Sequence, residues 1–459
     1  MKRAAAAAVL LVILAAGLFV FADHRREEAH ERLVQAGEEA LAAGETFAAI
    51  EAFSGAIYLK PQAMIGYLRR GEAYQQRHEL EAALRDLLRA VELDPYAPRT
   101  YELLGDVNYA LLRFGRAAER YQSCVALDDQ SPRVLYKLAL AQFAAGQPHS
   151  SEATLRAAIE FDDRFAEAYY LLGLSLRDLQ RLEEAAVALE RSVSLTPALL
   201  QAREELGILY ERLGRPDDRI AQLEALRGLD ADPSREVSLA LAYARSGRTD
   251  YAVAALGRTI ERYPDYPYTR IALGRVWLDI AEARQDHVAL SKARGALEAV
   301  PSSASNSEAL TLLGRALLLT GEVERAERVL LQAARKRPAD AGAFFHLADA
   351  AERLGHIPTA LDALLDYHTL VGDPPDARRR VSFAARVASL ATRSGDPALA
   401  ATWYERAIAA GAGDLGLLVR YAEARAASGN LTGATTTVLE VLEKDPRHLG
   451  ALALQRRLR

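Results

Sequence analysis

Pro61 and Pro95 stand 34 residues apart, and Gly71, Gly105, Gly173 and Gly207 recur at that spacing or its multiples. A fixed period of this length constrains the fold more than any local propensity. Each period must be one supersecondary unit that buries its apolar face against copies of itself. Setting the chain on the period gives units beginning near His30, Met64, Pro98, Pro132, Ala166 and Leu200. Later units begin near Pro233, Pro267, Asn306 or Ser307, Ala341, Val381 and Leu415. No segment sustains a strand-type alternation, so the units are helical. A glycine in mid-unit (Gly247, Gly321, Gly355, Gly395, Gly429) permits the positive φ that ends a first helix. A proline then closes the second helix, because it has no N–H to give to the preceding turn.

The residues inside each period are also specific. The second unit carries Tyr67, Leu68, Gly71, Ala73 and Tyr74, then Ala83, Leu87, Ala90 and Pro95. The first supplies Gly37, Ala49, Phe53, Ala56 and Pro61; the third supplies Tyr101, Leu104, Gly105, Ala117, Tyr121 and Cys124. The ninth gives Leu313, Gly314, Gly321, Ala326, Ala333 and Pro338, and the twelfth gives Gly429, Ala434 and Pro446. Small residues let two antiparallel helices approach, and large apolar residues fill the space beside them. This pattern resembles the tetratricopeptide repeat. The resemblance covers about residues 30–448 and implies an all-α, right-handed superhelical solenoid of about twelve helix-turn-helix repeats.

The layout expected on this register has a short basic N-terminus (1–3), an apolar segment (4–22), a linker (23–29) and about eight repeats over 30–300. A loop or hinge at 301–306, about four repeats over 307–448 and a solvating C-terminal helix over 449–459 follow. Two departures stand out. The sixth repeat has Arg219-Ile220 where alanine is expected, and Ala281 to His287 are extra residues in the eighth.

The resemblance also implies that the first helices line a concave groove, with the second, fifth, ninth and twelfth positions of each repeat facing it. In the third to fifth repeats these positions include Glu102, Asp106, Tyr109, Arg133, Tyr136, Phe143, Tyr170 and Arg177. Further on they include Tyr268, Arg275, Arg315, Phe345 and Asp349. Aromatic anchors ringed by charge suit a peptide-binding groove, since they desolvate a large area at low entropic cost. The bland reading of Tyr136 and Tyr170 is packing against the next repeat. Repeats of this kind that clamp a chaperone's C-terminal carboxylate need basic and amide residues at the fifth and ninth positions. Here those positions hold Leu68 and Glu72, then Glu102 and Asp106, so a negative groove is expected.

Residues 4–22 are nineteen apolar or small residues without a charge. As a helix they would span about 28 Å, close to the hydrocarbon thickness of a bilayer. Two readings compete: an uncleaved single-pass anchor, or a signal segment cut after Val20-Phe21-Ala22. Lys2 and Arg3 place the N-terminus in the cytoplasm, although Arg25, Arg26 and Arg32 weaken that asymmetry. Arginine far exceeds lysine and alanine is abundant, as in high-GC bacterial proteins. The expected location is therefore the inner membrane with the repeats in the periplasm, or alternatively the soluble periplasm.

Nothing in the chain asks for catalytic chemistry. The net charge of −5 is not that of a nucleic-acid binder. The short basic runs Arg335-Lys336-Arg337, Arg378-Arg379-Arg380 and Arg456-Arg457-Leu458-Arg459 read as helix-end charges. Gly411-Ala412-Gly413-Asp414-Leu415-Gly416 spells a dinucleotide fingerprint but follows a helix rather than a strand, so it reads as an inter-repeat loop. His346, His356 and His368 fall on different helices or helix ends, and the lone Cys124 sits at a small-residue packing position. No catalytic, cofactor or metal residue is expected, and the chain reads as no enzyme. Expected partners are other proteins in the groove and a membrane through residues 4–22. The leading role is a scaffold for an envelope, secretion or polysaccharide-export complex. A released periplasmic binding module and a regulatory subunit of an enzyme are the rivals.

Overall fold

A computed structural model describes residues 2–127 and 131–459, with the side chains of 2–13 and of residue 15 set aside. Among the described residues every regular element is a helix, and the chain divides into two compact units, Met1–Leu229 and Asp230–Arg459.

The first unit contains α1 (Lys2–Ala42), α2 (Thr46–Leu59), α3 (Met64–Gln76), α4 (Leu80–Leu93), α5 (Pro98–Ala110) and α6 (Phe114–Leu127). It continues with α7 (Pro132–Ala144), α8 (Pro148–Phe161), α9 (Ala166–Asp178), α10 (Leu182–Leu195), α11 (Leu200–Arg212) and α12 (Pro216–Leu229). The second unit contains α13 (Pro233–Arg245), α14 (Thr249–Arg262), α15 (Pro267–Arg284), α16 (His287–Glu298), α17 (Ser307–Leu319) and α18 (Val323–Arg335). After these come α19 (Ala341–Leu354), α20 (Ile357–Val371), α21 (Ala377–Ser394), α22 (Pro397–Ala409), α23 (Leu415–Ala427), α24 (Leu431–Lys444) and α25 (Leu449–Leu458). Each unit is an α solenoid in which every helix pairs with its neighbours in sequence.

First helices start at Met64, Pro98, Pro132, Ala166, Leu200, Pro233, Pro267, Ser307, Ala341 and Leu415, the residues given by the 34-residue register. The physical reason is local. Proline at the first turn of α5, α7, α13 and α15 supplies a fixed φ where no N–H is needed. Small residues then seat the pair. A Cβ added to Gly105 would lie 2.4 Å from the Tyr121 ring, and one added to Gly314 would lie 2.4 Å from Leu330. Only glycine allows these approaches. Cys124 is buried at the alanine position of α6, as a small apolar side chain would be.

The structure corrects the sequence reading in four places. Residues 23–29 are not a linker, because α1 runs as one helix from Lys2 to Ala42. The loop at 301–306 is present, but Leu297 and Val300 before it share one buried core with Ala309 and Leu312 after it, so it does not divide the chain. The division falls instead after Leu229. The first helix of the eleventh repeat begins at Ala377, a full turn ahead of Val381. The mid-repeat turn also adopts positive φ without glycine, at His78, Leu112 and Gln180.

Among the described residues no helix is long and apolar enough to cross a membrane. Most of the segment expected as an anchor, namely residues 4–13 and 15, lies outside the residues whose side chains are described.

Candidate interaction surface on the first helices

The sequence places charge on the first helices of the second to fourth repeats, and the fold joins it into a network. Glu102 on α5 is buried, and its carboxylate takes Lys137 Nζ at 2.8 Å, Arg99 Nη1 at 2.7 Å and Arg133 Nη2 at 3.0 Å. One turn on, Asp106 receives Lys137 Nζ at 2.8 Å and the Tyr121 hydroxyl at 2.6 Å. Arg99 also reaches Glu72 on α3 at 2.7 Å, and Arg69 spans Glu72 at 3.0 Å and Glu38 on α1 at 2.9 Å. The geometry follows from the period. Residues 31 to 35 apart lie side by side on adjacent first helices, so a cation in one repeat meets an acid in the repeat before it.

This pairing overturns the expected negative groove. Glu72, Glu102 and Asp106 are each neutralised by Arg69, Arg99, Arg133 or Lys137. Burial works to raise the Glu102 carboxyl, but the bonds from Lys137 and Arg99 outweigh it, so Glu102 titrates below the ordinary carboxylate range. Burial, then Asp106, pushes the Tyr121 phenol well above its usual value, so it stays a neutral donor to Asp106.

Next to the charge network lies a run of aromatic rings. Tyr109, Tyr136, Phe143 and Tyr170 are all half-buried on α5, α7 and α9. The Tyr136 ring packs on Phe165 with centroids 5.0 Å apart, and Tyr109 meets Phe114 edge-on at 5.1 Å. Tyr136, Phe143 and Tyr170 rest against the core formed by Leu171, Leu176 and Leu206. Burial, then the charge of Glu167, raises the Tyr136 phenol; burial, then Glu205, raises that of Tyr170. Each ring therefore has a packed side and a partly open side, so packing and binding are not exclusive here. Arg177 is tied to Glu205 at 2.7 Å and to Asp178 at 2.9 Å.

The structure thus brings Glu102, Asp106, Arg133, Tyr109, Tyr136, Phe143, Tyr170 and Arg177 onto consecutive first helices within one unit. Arg133 is the most open of the cations, its side chain 63% exposed. Lys137, Arg99 and Phe165 belong to the same surface and were not singled out from the sequence. The recurrence of opposite charges at roughly one period could have found Lys137.

Arg275, Arg315, Phe345 and Asp349 lie in the second unit, apart from this set. Arg275 is paired with Glu308 and Arg315 with Glu282. Asp349 holds Arg386 at 2.5 Å, and the Arg386 guanidinium lies 5.7 Å from the centroid of Phe345. Tyr268 and Arg275 line a polar cleft of about 640 Å³ with Glu308, Lys336 and Asp340. Among the described residues no cluster of His, Cys, Asp and Glu could hold a metal ion.

A family model described as the tetratricopeptide repeat matches residues 136–199, 278–341 and 311–377, and a second with the same description matches 237–266. Small glutamine-rich tetratricopeptide repeat-containing protein 2 of Mycosarcoma maydis is 33% identical over 92 residues. That match spans 20% of this chain and 26% of the relative, about a quarter of its length. Among solved structures, YrrB, a repeat protein with an unusual peptide-binding site, is 22% identical over 40% of this chain and 96% of its own, with a TM-score of 0.37. MamA is 24% identical over 35% of this chain and 93% of its own, with a TM-score of 0.34. Naa15/Naa10 bound to HypK-THB is 14% identical over 97% of this chain and 76% of the other, with a TM-score of 0.37. The matched segments resemble the tetratricopeptide repeat, and the repeat register and helix pairing agree with an α solenoid of such repeats.

Proposed function

We propose that this chain is a non-catalytic scaffold that holds partner proteins on the first helices of its third to fifth repeats. The observation that carries the reading is the aromatic run Tyr109, Tyr136, Phe143 and Tyr170, each ring half-buried beside a fixed charge network. Rings already held on one side lose little entropy when a partner covers the other. The neutralised charges beside them give orientation rather than bulk attraction, so a helix or peptide segment with its own mixed charge suits the surface.

Residues 4–22 serve as a membrane anchor in this reading, with the repeats on the periplasmic side of a bacterial inner membrane. Lys2 and Arg3 before the apolar run support that orientation. The assembly served would be an envelope, secretion or polysaccharide-export complex. The rival is a soluble periplasmic module released by cleavage, and it requires Asp23 to be the mature N-terminus.

The test is crosslinking followed by affinity purification from membranes. Wild type is compared with the variant carrying Tyr136→Ala, Phe143→Ala and Tyr170→Ala, its helicity checked first. A defined set of proteins recovered with the wild type and lost with the variant supports the groove. The same set recovered with both sinks it. N-terminal sequencing of the membrane and soluble fractions separates anchor from released module.

A further inference from the structure

We infer a second docking site, in the second unit, for a peptide segment that carries an aromatic side chain beside an acidic residue. The site arises where the eleventh repeat departs from the 34-residue register. The connection from α20 to α21 is Gly372-Asp373-Pro374-Pro375-Asp376, and α21 starts one turn early at Ala377. That turn and the two prolines build a wall, and a pocket of about 440 Å³ opens between it and the rings of Phe345, Tyr367 and Phe383. The size lies within the range of roughly 300–1,000 Å³ for ligand pockets, toward the small end, and suits one large side chain with its backbone.

The floor is apolar and prearranged. Phe345 and Tyr367 have ring centroids 5.4 Å apart, and Tyr367 and Phe383 are 5.8 Å apart. The wall is fixed by Arg380, whose Nη1 donates to the carbonyl of Pro375 at 2.8 Å and of Pro374 at 3.1 Å. Val371 at the rim is 51% exposed, an apolar side chain left for a partner to cover.

Charge selects the occupant. The carboxylates around the pocket each have a hydrogen-bond partner already. Asp349 and Glu352 hold Arg386 at 2.5 and 2.9 Å. Asp373 lies 3.0 Å from His368 Nε2, and Asp376 accepts from the backbone N–H of Arg379 at 2.9 Å. Arg379, Tyr367 and Ser382 line the same pocket, and among the described residues their side chains have no hydrogen-bond or ion-pair partner. The mouth therefore keeps one guanidinium without a carboxylate bonded to it and two hydroxyls without a hydrogen-bond partner, beside an aromatic floor. A carboxylate next to an aromatic side chain satisfies all of them, whereas a basic neighbour would face Arg379 unpaired.

The test pans a displayed library of nonapeptides, with a central Phe or Trp and randomised flanks, against the full-length chain. Acidic residues should accumulate next to the aromatic. The selected peptides should bind Arg379→Glu and the pocket-filling Ser382→Trp about tenfold more weakly, with both variants keeping wild-type helicity and melting. Panning on Arg379→Glu should shift the flanks toward Lys and Arg. Flanks without acidic enrichment, no enrichment at all, or undiminished binding to either variant would overturn the proposal. The variant with Tyr136, Phe143 and Tyr170 changed to Ala should bind these peptides as wild type does, so failure here is distinguishable from failure of the groove in the first unit.

Discussion

The fifth and sixth repeats stand side by side in the first unit and solve the same packing problem differently. In the fifth, α9 and α10 close tightly: a Cβ on Gly173 would lie 2.5 Å from Leu189, and Ala185, Ala186, Ala188, Leu189 and Ser192 are all buried. In the sixth, a Cβ on Gly207 would meet nothing within 4 Å, and only Ile220 and Leu226 are buried on α12. The cause is legible one period apart. Arg219 stands where Ala185 stood, its guanidinium turned to Glu211 at 2.9 Å, and the larger Leu226 replaces Ser192. Small side chains set the distance between paired helices, and one arginine at that position keeps them apart. The first unit ends with this loosely seated helix.

The largest effect that would sharpen the contrast comes from Leu189 and from Leu223, its counterpart one period on. Leu189→Ala should cost about 2–5 kcal/mol, since Leu189 is fully buried, whereas Leu223→Ala, at a half-buried position, should cost under about 2. Equal shifts of the urea midpoint would break the comparison. Next come the glycines themselves. Gly173→Ala should destabilise by roughly 1–3 kcal/mol through overpacking. Gly207→Ala, in open space on a helix, should be neutral or stabilising by about 0.5–1 kcal/mol. A matching loss at both positions would refute the separation of α11 from α12.

The turns between the paired helices reverse the ranking. Gln180 in the fifth repeat and Gly214 in the sixth occupy the same left-handed position, with φ of 61° and 67°. Gln180→Gly should therefore gain, and Gly214→Gln lose, about 1 kcal/mol each by thermal unfolding. The gain at Gln180 is reduced by losing the bond from Arg212 Nη2, 2.8 Å away. Smallest is a difference in rate. Hydrogen exchange should release the amides of α12 before those of α10, because few apolar contacts hold them.

Helix starts were readable from the chain because proline, small residues and the 34-residue period are local signals that agree with one another. The arginine at position 219 was readable too. Its consequence, a looser pair at the end of a compact unit, was not, because the distance between two helices depends on all the side chains between them and not on one position alone. The candidate groove was only half legible. Aromatic positions follow from the register alone. Whether Glu102 and Asp106 present charge or bury it depends on cations one repeat away, and the spacing of 31 to 35 residues becomes adjacency only after folding.

The helix α1 runs unbroken from Lys2 to Ala42, so no swivel separates residues 23–29 from the first repeat. A continuous helix transmits torsion as well as position. Each residue inserted between Ala22 and His30 would turn the preceding segment about 100° around the helix axis and move it about 1.5 Å along it. The compass heading of the first repeat, in whatever surroundings residues 4–22 occupy, is therefore written in the number of residues in that stretch. A seven-residue insertion would nearly restore the heading, and a two-residue insertion would point the same surface almost the opposite way.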